Sequence, residues 1–207
     1  MHRVFISYHH AYDQRYKEEL IRWGERNMIF IDDSVHSGDI PDDWDDEKIR
    51  VTIRDEYLRD TSVTILLVGK LTWARKHVDW ELYSSMRDSE KNKKSGLVVI
   101  MLPSTGCTHV YAGHIGEKTE VFTNIPAEGW GPVNTKEQCD KDYPYLPDRV
   151  IDQILAPEAK VSIINWNDFY PYHPEKLEKL INNAYDHRAT CIYDLSRPMR
   201  RKNIVNI

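Results

Sequence analysis

Apolar and polar positions along this chain follow two periods in turn, one of strands and one of helices. Arg3 to Tyr8 is short, β-rich and bounded by polar residues, which predicts a buried strand. Tyr12 to Arg26 then carries Tyr16, Leu20 and Trp23 at helical spacing with charges between them. Met28 to Ile31 is a second strand, ended by Asp32 and Asp33, and Ser34 to Asp46 is a loop rich in turn-formers. Ile49, Ile53 and Tyr57 recur at i, i+4 and i+8 and predict a helix ending near Arg59. Val63 to Val68, built only of β-branched residues and Leu, has the nearly continuous apolarity of a strand covered on both faces. Thr72 is the N-cap expected for a helix with Val78, Leu82 and Met86 inward, running to about Asp88, and Leu97 to Leu102 is a fourth strand stopped by Pro103.

The pattern weakens from Ser104 to Tyr145, which is rich in Gly, Pro, Thr and Asn. A loop that long in a compact domain is unusual unless it serves function or hides short elements. It is treated as an insertion around 104–145, concerned with a partner or trigger, and shortening it between Thr108 and Thr135 is expected to spare folding. Beyond it come a helix from Arg149 to Leu155, a strand from Val161 to Ile164, and a helix from Pro174 to His187 with Leu177, Leu180, Ile181 and Tyr185 inward. The basic tail Ser196 to Lys202 is expected to pack back through salt bridges. Strands alternating with helices imply a parallel sheet covered on both faces. The fold predicted is α/β, a single flavodoxin-like domain over residues 1–207 with five parallel strands. Ligands bind such sheets outside the carboxyl ends of the strands. That directs attention to Ser7–His10, Asp32–Asp46, Gly69–Glu81 and the chain after Pro103.

Composition narrows the function. The 207 residues carry 28 Lys and Arg against 33 Asp and Glu, a net charge of −5, which offers no general attraction for nucleic acid or an anionic membrane. The amino-terminal residues lack a secretory apolar core, and no apolar run approaches the ~20 residues of a membrane helix. Cys107, Cys139 and Cys191 are widely spaced and suit a reducing compartment, so a cytoplasmic location is expected. The phosphate loop, the G-x-G-x-x-G fingerprint, the nucleophile elbow and the zinc helix motif are all missing, and the nine histidines show no ligand spacing, so no metal is expected. No Asp ends the strand at Val63–Gly69, which argues against a phosphoacceptor domain.

The chemically richest stretch runs from Thr72 to Leu82. On a helix, Glu81 lies at the edge of the inward stripe of Val78, Leu82 and Ser85, where a carboxylate in the opening turns meets a favourable dipole and partial burial. Spacing alone favours the plainer reading, an exposed helix glutamate or an ion-pair partner for Arg75 or Lys76. Asp79 and Glu90 are expected to project away from the site.

Arg3-Val-Phe-Ile-Ser-Tyr-His9, followed by a helix, resembles the opening of TIR domains, and Trp80-Glu81-Leu82 resembles the segment that holds their catalytic glutamate. Val68-Gly-Lys-Leu-Thr-Trp73 with Val78-Asp-Trp-Glu81, then Leu146-Pro-Asp-Arg-Val-Ile-Asp152 and Ser196-Arg-Pro-Met-Arg-Arg201, is similar to the TIR-like family of the Thoeris antiphage system. The resemblance implies cleavage of NAD, as substrate rather than resident cofactor, at the bond between nicotinamide and ribose. Cyclisation of the ADP-ribose into a signalling nucleotide that switches on a separate effector protein would follow. It also implies a phage trigger and self-association. By the resemblance Glu81 is the catalytic glutamate and Phe5 the strand-one aromatic near it. Ser7, Tyr8 and His9 match the strand exit, and Asp33 to Trp44 the loop flanking substrate. Phe5, Tyr8, Trp44, Trp73 and Trp80 are the aromatics available to stack on adenine or nicotinamide, each competing with a role in the core. Two other functions stay open at this point: a TIR association module in which Glu81 is structural, and a nucleoside N-glycosidic transferase or hydrolase.

Overall fold

A computed structural model describes residues 1–34, 41, 43–131 and 133–204. Five strands form one parallel sheet in the order β2-β1-β3-β4-β5: β1 His2–Ser7, β2 Phe30–Asp32, β3 Val63–Val68, β4 Gly96–Met101 and β5 Val161–Asn165. This is the predicted flavodoxin-like winding. The strand order reverses between β1 and β3, and that reversal opens a crevice at their carboxyl ends.

The alternation within each strand divides the core. Val4 and Ile6 of β1 face one side with Val63, Ile65 and Leu67 of β3, and α1 (His10–Arg26) and α8 (Pro174–His187) cover them with Leu20, Trp23, Leu177, Leu180 and Ile181. Leu66, Val68, Leu97 and Val99 face the other side, under α3 (Lys76–Ser85) and α6 (Asp148–Leu155). Phe5 shares that second face and joins Ile49, Ile53, Leu58, Trp80 and Met199 in a smaller cluster. Burying each such aliphatic side chain contributes ~1.5–3 kcal/mol, which makes β1, β3 and β4 a rigid platform.

Three expectations about elements are corrected. The predicted helix from Thr72 breaks: a 3-10 turn spans Thr72–Ala74, Arg75 is extended with ψ 124°, and α3 starts only at Lys76. The Thr72 hydroxyl does not cap that helix. It accepts from the Gly69 amide at 2.8 Å and donates to Asp13 at 3.2 Å, closing the turn after β3. The helix through Ile49 and Ile53 is α-helical only over α2, Asp46–Thr52, and continues as a π turn over Ile53–Tyr57.

The third correction concerns residues 104–145. This segment holds α4 (Glu117–Glu120) and α5 (Lys136–Asp142), and its apolar side chains enter both faces of the core. Val110, Val121 and Phe122 join the α1 and α8 side, while Cys139 and Tyr143 join the α3 and α6 side. Tyr111 pairs with Ile163 of β5 as an antiparallel bridge, and the Tyr143 hydroxyl donates to the Val110 carbonyl at 2.9 Å. The expectation that it can be shortened without loss of the fold therefore fails: its apolar residues are spread at irregular spacing, so no period announced them. Between β5 and α8 lies α7, Trp166–Phe169, a single turn that periodicity also missed.

Candidate active site

Three residues after β1 and four on or just before α3 enclose a cavity of about 220 Å³: Tyr8, His9 and His10 from one side, Arg75, His77, Val78 and Glu81 from the other. It lies at the carboxyl edge, where the strand order reverses. The late start of α3 explains the second wall. With Lys76 as the first helical residue, Val78 and Glu81 are three apart and His77 and Glu81 four apart, so all three share a face.

Glu81 is 3 % exposed, and its Oε2 accepts from the Ser7 hydroxyl at 2.6 Å. A buried carboxylate held by a short charge-assisted bond is fixed in position. Ser7 points to α3 because it lies two residues from Phe5 on the same face of β1. Tyr8 faces the other way. Its hydroxyl donates to Gln14 Oε1, Gln14 Nε2 donates to Glu18 Oε1 at 2.9 Å, and the His10 ring lies tilted by 30° against the Tyr8 ring, with centroids 4.5 Å apart. Burial, then the nearby Glu81 charge, push the Tyr8 hydroxyl up to about 12, so it stays protonated. His9 is 2 % exposed and stands edge-on to Tyr12 at 5.0 Å. Burial and then Arg75 hold its pKa below the ordinary histidine value, against a smaller opposing contribution from its own backbone.

The carboxyl-terminal tail builds the outer support of α3. Arg149 is fully buried and forks onto Asp79, with Nε 2.8 Å from Oδ1 and Nη2 3.0 Å from Oδ2. It also donates to the carbonyls of Arg197 at 3.1 Å and Pro198 at 2.9 Å. Asp79 in turn accepts from the Arg200 amide at 2.8 Å, and the Trp80 indole donates to the Arg200 carbonyl at 2.7 Å. Asn203 Oδ1 accepts from the Lys76 amide at 3.0 Å. That bond caps α3, whose own N-cap Arg75 supplies no side-chain acceptor. Asp79 is thus a buried structural anion. It projects away from the cavity, as expected, but into a buried ion pair.

Of the residues singled out in the sequence, Ser7, Tyr8, His9 and Glu81 come together here. Phe5 and Trp80, both 1 % exposed, lie in the apolar cluster beneath α2 and α3 and do not line the cavity, because their side chains fill the space between helix and sheet. Trp44 packs on the edge of that cluster under Lys48, whose Nζ is 3.7 Å from the ring centroid. Trp73 donates from its indole to the Lys70 carbonyl at 3.0 Å. Asp33 pairs with Arg3 at 3.0 Å. The flanking loop from Asp33 to Trp44 falls mostly on residues 35–40 and 42, outside the described residues. The sequence offers Arg75 only as an ion-pair partner for Glu81 and does not single out His77; the signal is the four-residue spacing of His77 and Glu81, which counts only once the helix start is known.

The remaining candidates hold no comparable chemistry. A wider depression along Asp152–Glu158 and Ile192–Asp194 lies at the opposite, amino edge of the sheet and is lined by carboxylates and apolar side chains. Burial pushes the Cys107 thiol up to about 11, away from nucleophilic reactivity. Among the described residues no group of His, Cys, Asp and Glu is arranged to hold a metal ion, and no helix is long and apolar enough to cross a membrane.

Residues 5–106 match the family described as Thoeris protein ThsB, TIR-like domain. The matched span contains all seven residues that line the cavity. No curated protein and no solved structure gives a match.

Proposed function

This chain carries a TIR-like domain of the Thoeris ThsB family, and on that premise we propose that it cleaves NAD at the bond between nicotinamide and ribose and closes the ADP-ribose into a cyclic nucleotide. The observation that supports this most is Glu81: a carboxylate 3 % exposed, at the wall of the cavity by the sheet's carboxyl edge, and oriented by Ser7. When the N-glycosidic bond breaks, the electron pair leaves with nicotinamide as a neutral molecule. The ribosyl carbon is left with oxocarbenium character, which an adjacent carboxylate stabilises. Because nicotinamide leaves from a cationic ring, the site needs an anion far more than an acid.

A volume of about 220 Å³ is below the ~300–1,000 Å³ of whole-ligand sites. It suits the nicotinamide and its ribose, with the diphosphate passing the Arg75 guanidinium at the same wall. In this reading the product reaches a separate effector by diffusion, a phage component provides the trigger, and self-association accompanies activation.

The test is incubation of the purified chain with NAD, alone and with extract of infected cells, with nicotinamide and nucleotide products followed by mass spectrometry. Glu81→Gln keeps volume and hydrogen-bonding reach but removes the charge. It is expected to cut nicotinamide release by ~10²–10³ while the protein melts normally. Full release by Glu81→Gln sinks the assignment and favours an association module. Nucleobase release from nucleosides with NAD untouched favours a nucleoside glycosidase instead.

A further inference from the structure

His9 sets a problem that the proposed cleavage does not use. Its ring is 2 % exposed, it lines the cavity, and no other described residue hydrogen-bonds either ring nitrogen. Buried polar side-chain atoms almost always find partners, and an unsatisfied one costs ~1–3 kcal/mol. The ring is held there by packing, on Tyr12 at its edge and against the strand exit, so its polar atoms are kept ready for something that enters the cavity.

The chemistry of the site supplies that something. Once nicotinamide has left, a hydroxyl, of water or of the substrate's own sugar, attacks the ribosyl carbon. A C–O bond forms, the O–H bond breaks, and a proton must go to an acceptor inside the cavity. Glu81 already accepts the Ser7 hydrogen, and in the proposed cleavage its charge serves the cationic carbon. Tyr8 donates its hydroxyl to Gln14 and is not an acceptor of useful basicity, and Arg75 has no lone pair to offer. His10 is exposed and tilted against Tyr8, and His77, edge-on to Trp80 at 4.9 Å, is only half-buried.

We propose that His9 is the proton acceptor for the hydroxyl that attacks the ribosyl carbon, a catalytic residue distinct from Glu81 and dependent on the NAD-cleaving reading for its substrate. One ring nitrogen takes the proton as the C–O bond forms and passes it to solvent when product leaves. The groups facing it are Tyr8, His10 and Tyr12 from the β1–α1 junction, Arg75 just before α3, and His77 and Glu81 on α3. The pKa shift, downward through burial and Arg75, keeps the imidazole neutral and able to accept at neutral pH.

The experiment compares wild type, His9→Ala and His9→Gln with NAD, scoring nicotinamide release, the ratio of cyclic to linear product, the pH profile, and melting temperature. Both variants are expected to melt near wild type and to lose ~10²–10⁴ in turnover, with a smaller change in KM. The acid limb that histidine protonation imposes on wild type should vanish in His9→Gln, and added imidazole should restore part of the His9→Ala turnover. If the attacker is the substrate's own hydroxyl, the residual product shifts towards the linear form. If water attacks, the residual product shifts towards the cyclic form. Wild-type turnover in His9→Ala, or a loss that imidazole leaves unchanged with the acid limb intact, overturns the role of His9 and leaves the function of Glu81 standing. A wild-type protein that never releases nicotinamide overturns both.

Discussion

Asp13 on α1 shows how one side chain records the tightness of the β3 exit. A Cβ at Gly69 would meet the Asp13 carboxylate oxygens at 2.5 Å, so any larger residue there must displace that carboxylate. Burial pushes Asp13 up to about 6, with the Thr72 hydroxyl opposing the shift. The folded pKa lies above the unfolded value near 3.8. Over that interval the native state holds more protons than the unfolded chain, and stability falls as pH rises, the full cost being present above about 6. Asp13→Asn keeps an acceptor for Thr72 without the charge. It is expected to stabilise the protein at neutral pH by on the order of 2–3 kcal/mol, and to have little effect below the unfolded pKa, as melting curves at several pH values would show. Ser7→Ala belongs to the same scale. A hydrogen bond to a charged group contributes ~1.5–3 kcal/mol, so losing the donor to Glu81 should lower NAD turnover by roughly tenfold or more, read as kcat with the fold intact. An unchanged kcat would mean that Ser7 does not orient the carboxylate.

α3 as an element is held from outside more than from within. Its start is capped by Asn203, its anion Asp79 is matched by Arg149, and Trp80 is tied to the chain at Arg200. Asn203→Ala removes that cap and should cost ~1 kcal/mol. Arg149→Met leaves Asp79 buried without its cation, which should cost ~3–5 kcal/mol. That corresponds to a fall of roughly 10 °C in melting temperature for a chain of this size. Adding Asp79→Asn to Arg149→Met should recover part of the loss, because the penalty lies in the orphaned charge. Additive losses in that cycle would show that the ion pair is uncoupled. Leu146–Asp152 and Ser196–Arg201, outside the span 5–106 that matches the family, thus build the back of the glutamate helix.

Across the whole molecule, residues 104–145 complete the core and do not decorate it. Deleting Thr108 to Thr135 would remove Val110, Val121 and Phe122 from one face and take away the acceptor of the Tyr143 hydroxyl. It would also remove Glu117, which is fully buried and accepts from Ser162 at 2.7 Å and Asn183 at 3.1 Å. Large-to-small losses in a core cost ~2–5 kcal/mol each, more together than the ~5–15 kcal/mol by which such proteins are stable. The deletion is expected to yield no soluble, cooperatively melting protein. A well-folded product would reverse the assignment of this segment to the core.

The strands and most helices follow from the sequence alone, since Val63–Val68 and Pro174–His187 repeat their periods long enough to be read locally. The carboxyl edge as the place to look for a cavity followed as well, because parallel winding fixes which ends of the strands carry the loops. Glu81 stood out through its family motif, and its spacing left an exposed role open. Three things needed the tertiary structure. The start of α3 was decided by Asn203 and Arg200, more than a hundred residues away, so neither the break at Arg75 nor the shared face of His77 and Glu81 could be read from local spacing. Whether an aromatic lines a cavity or fills a core depends on what packs against it, and this separated Tyr8 from Phe5 and Trp80. Burial of a polar group is likewise a property of its neighbours: His9 becomes an unpartnered imidazole only when β1, α1 and α3 close around it.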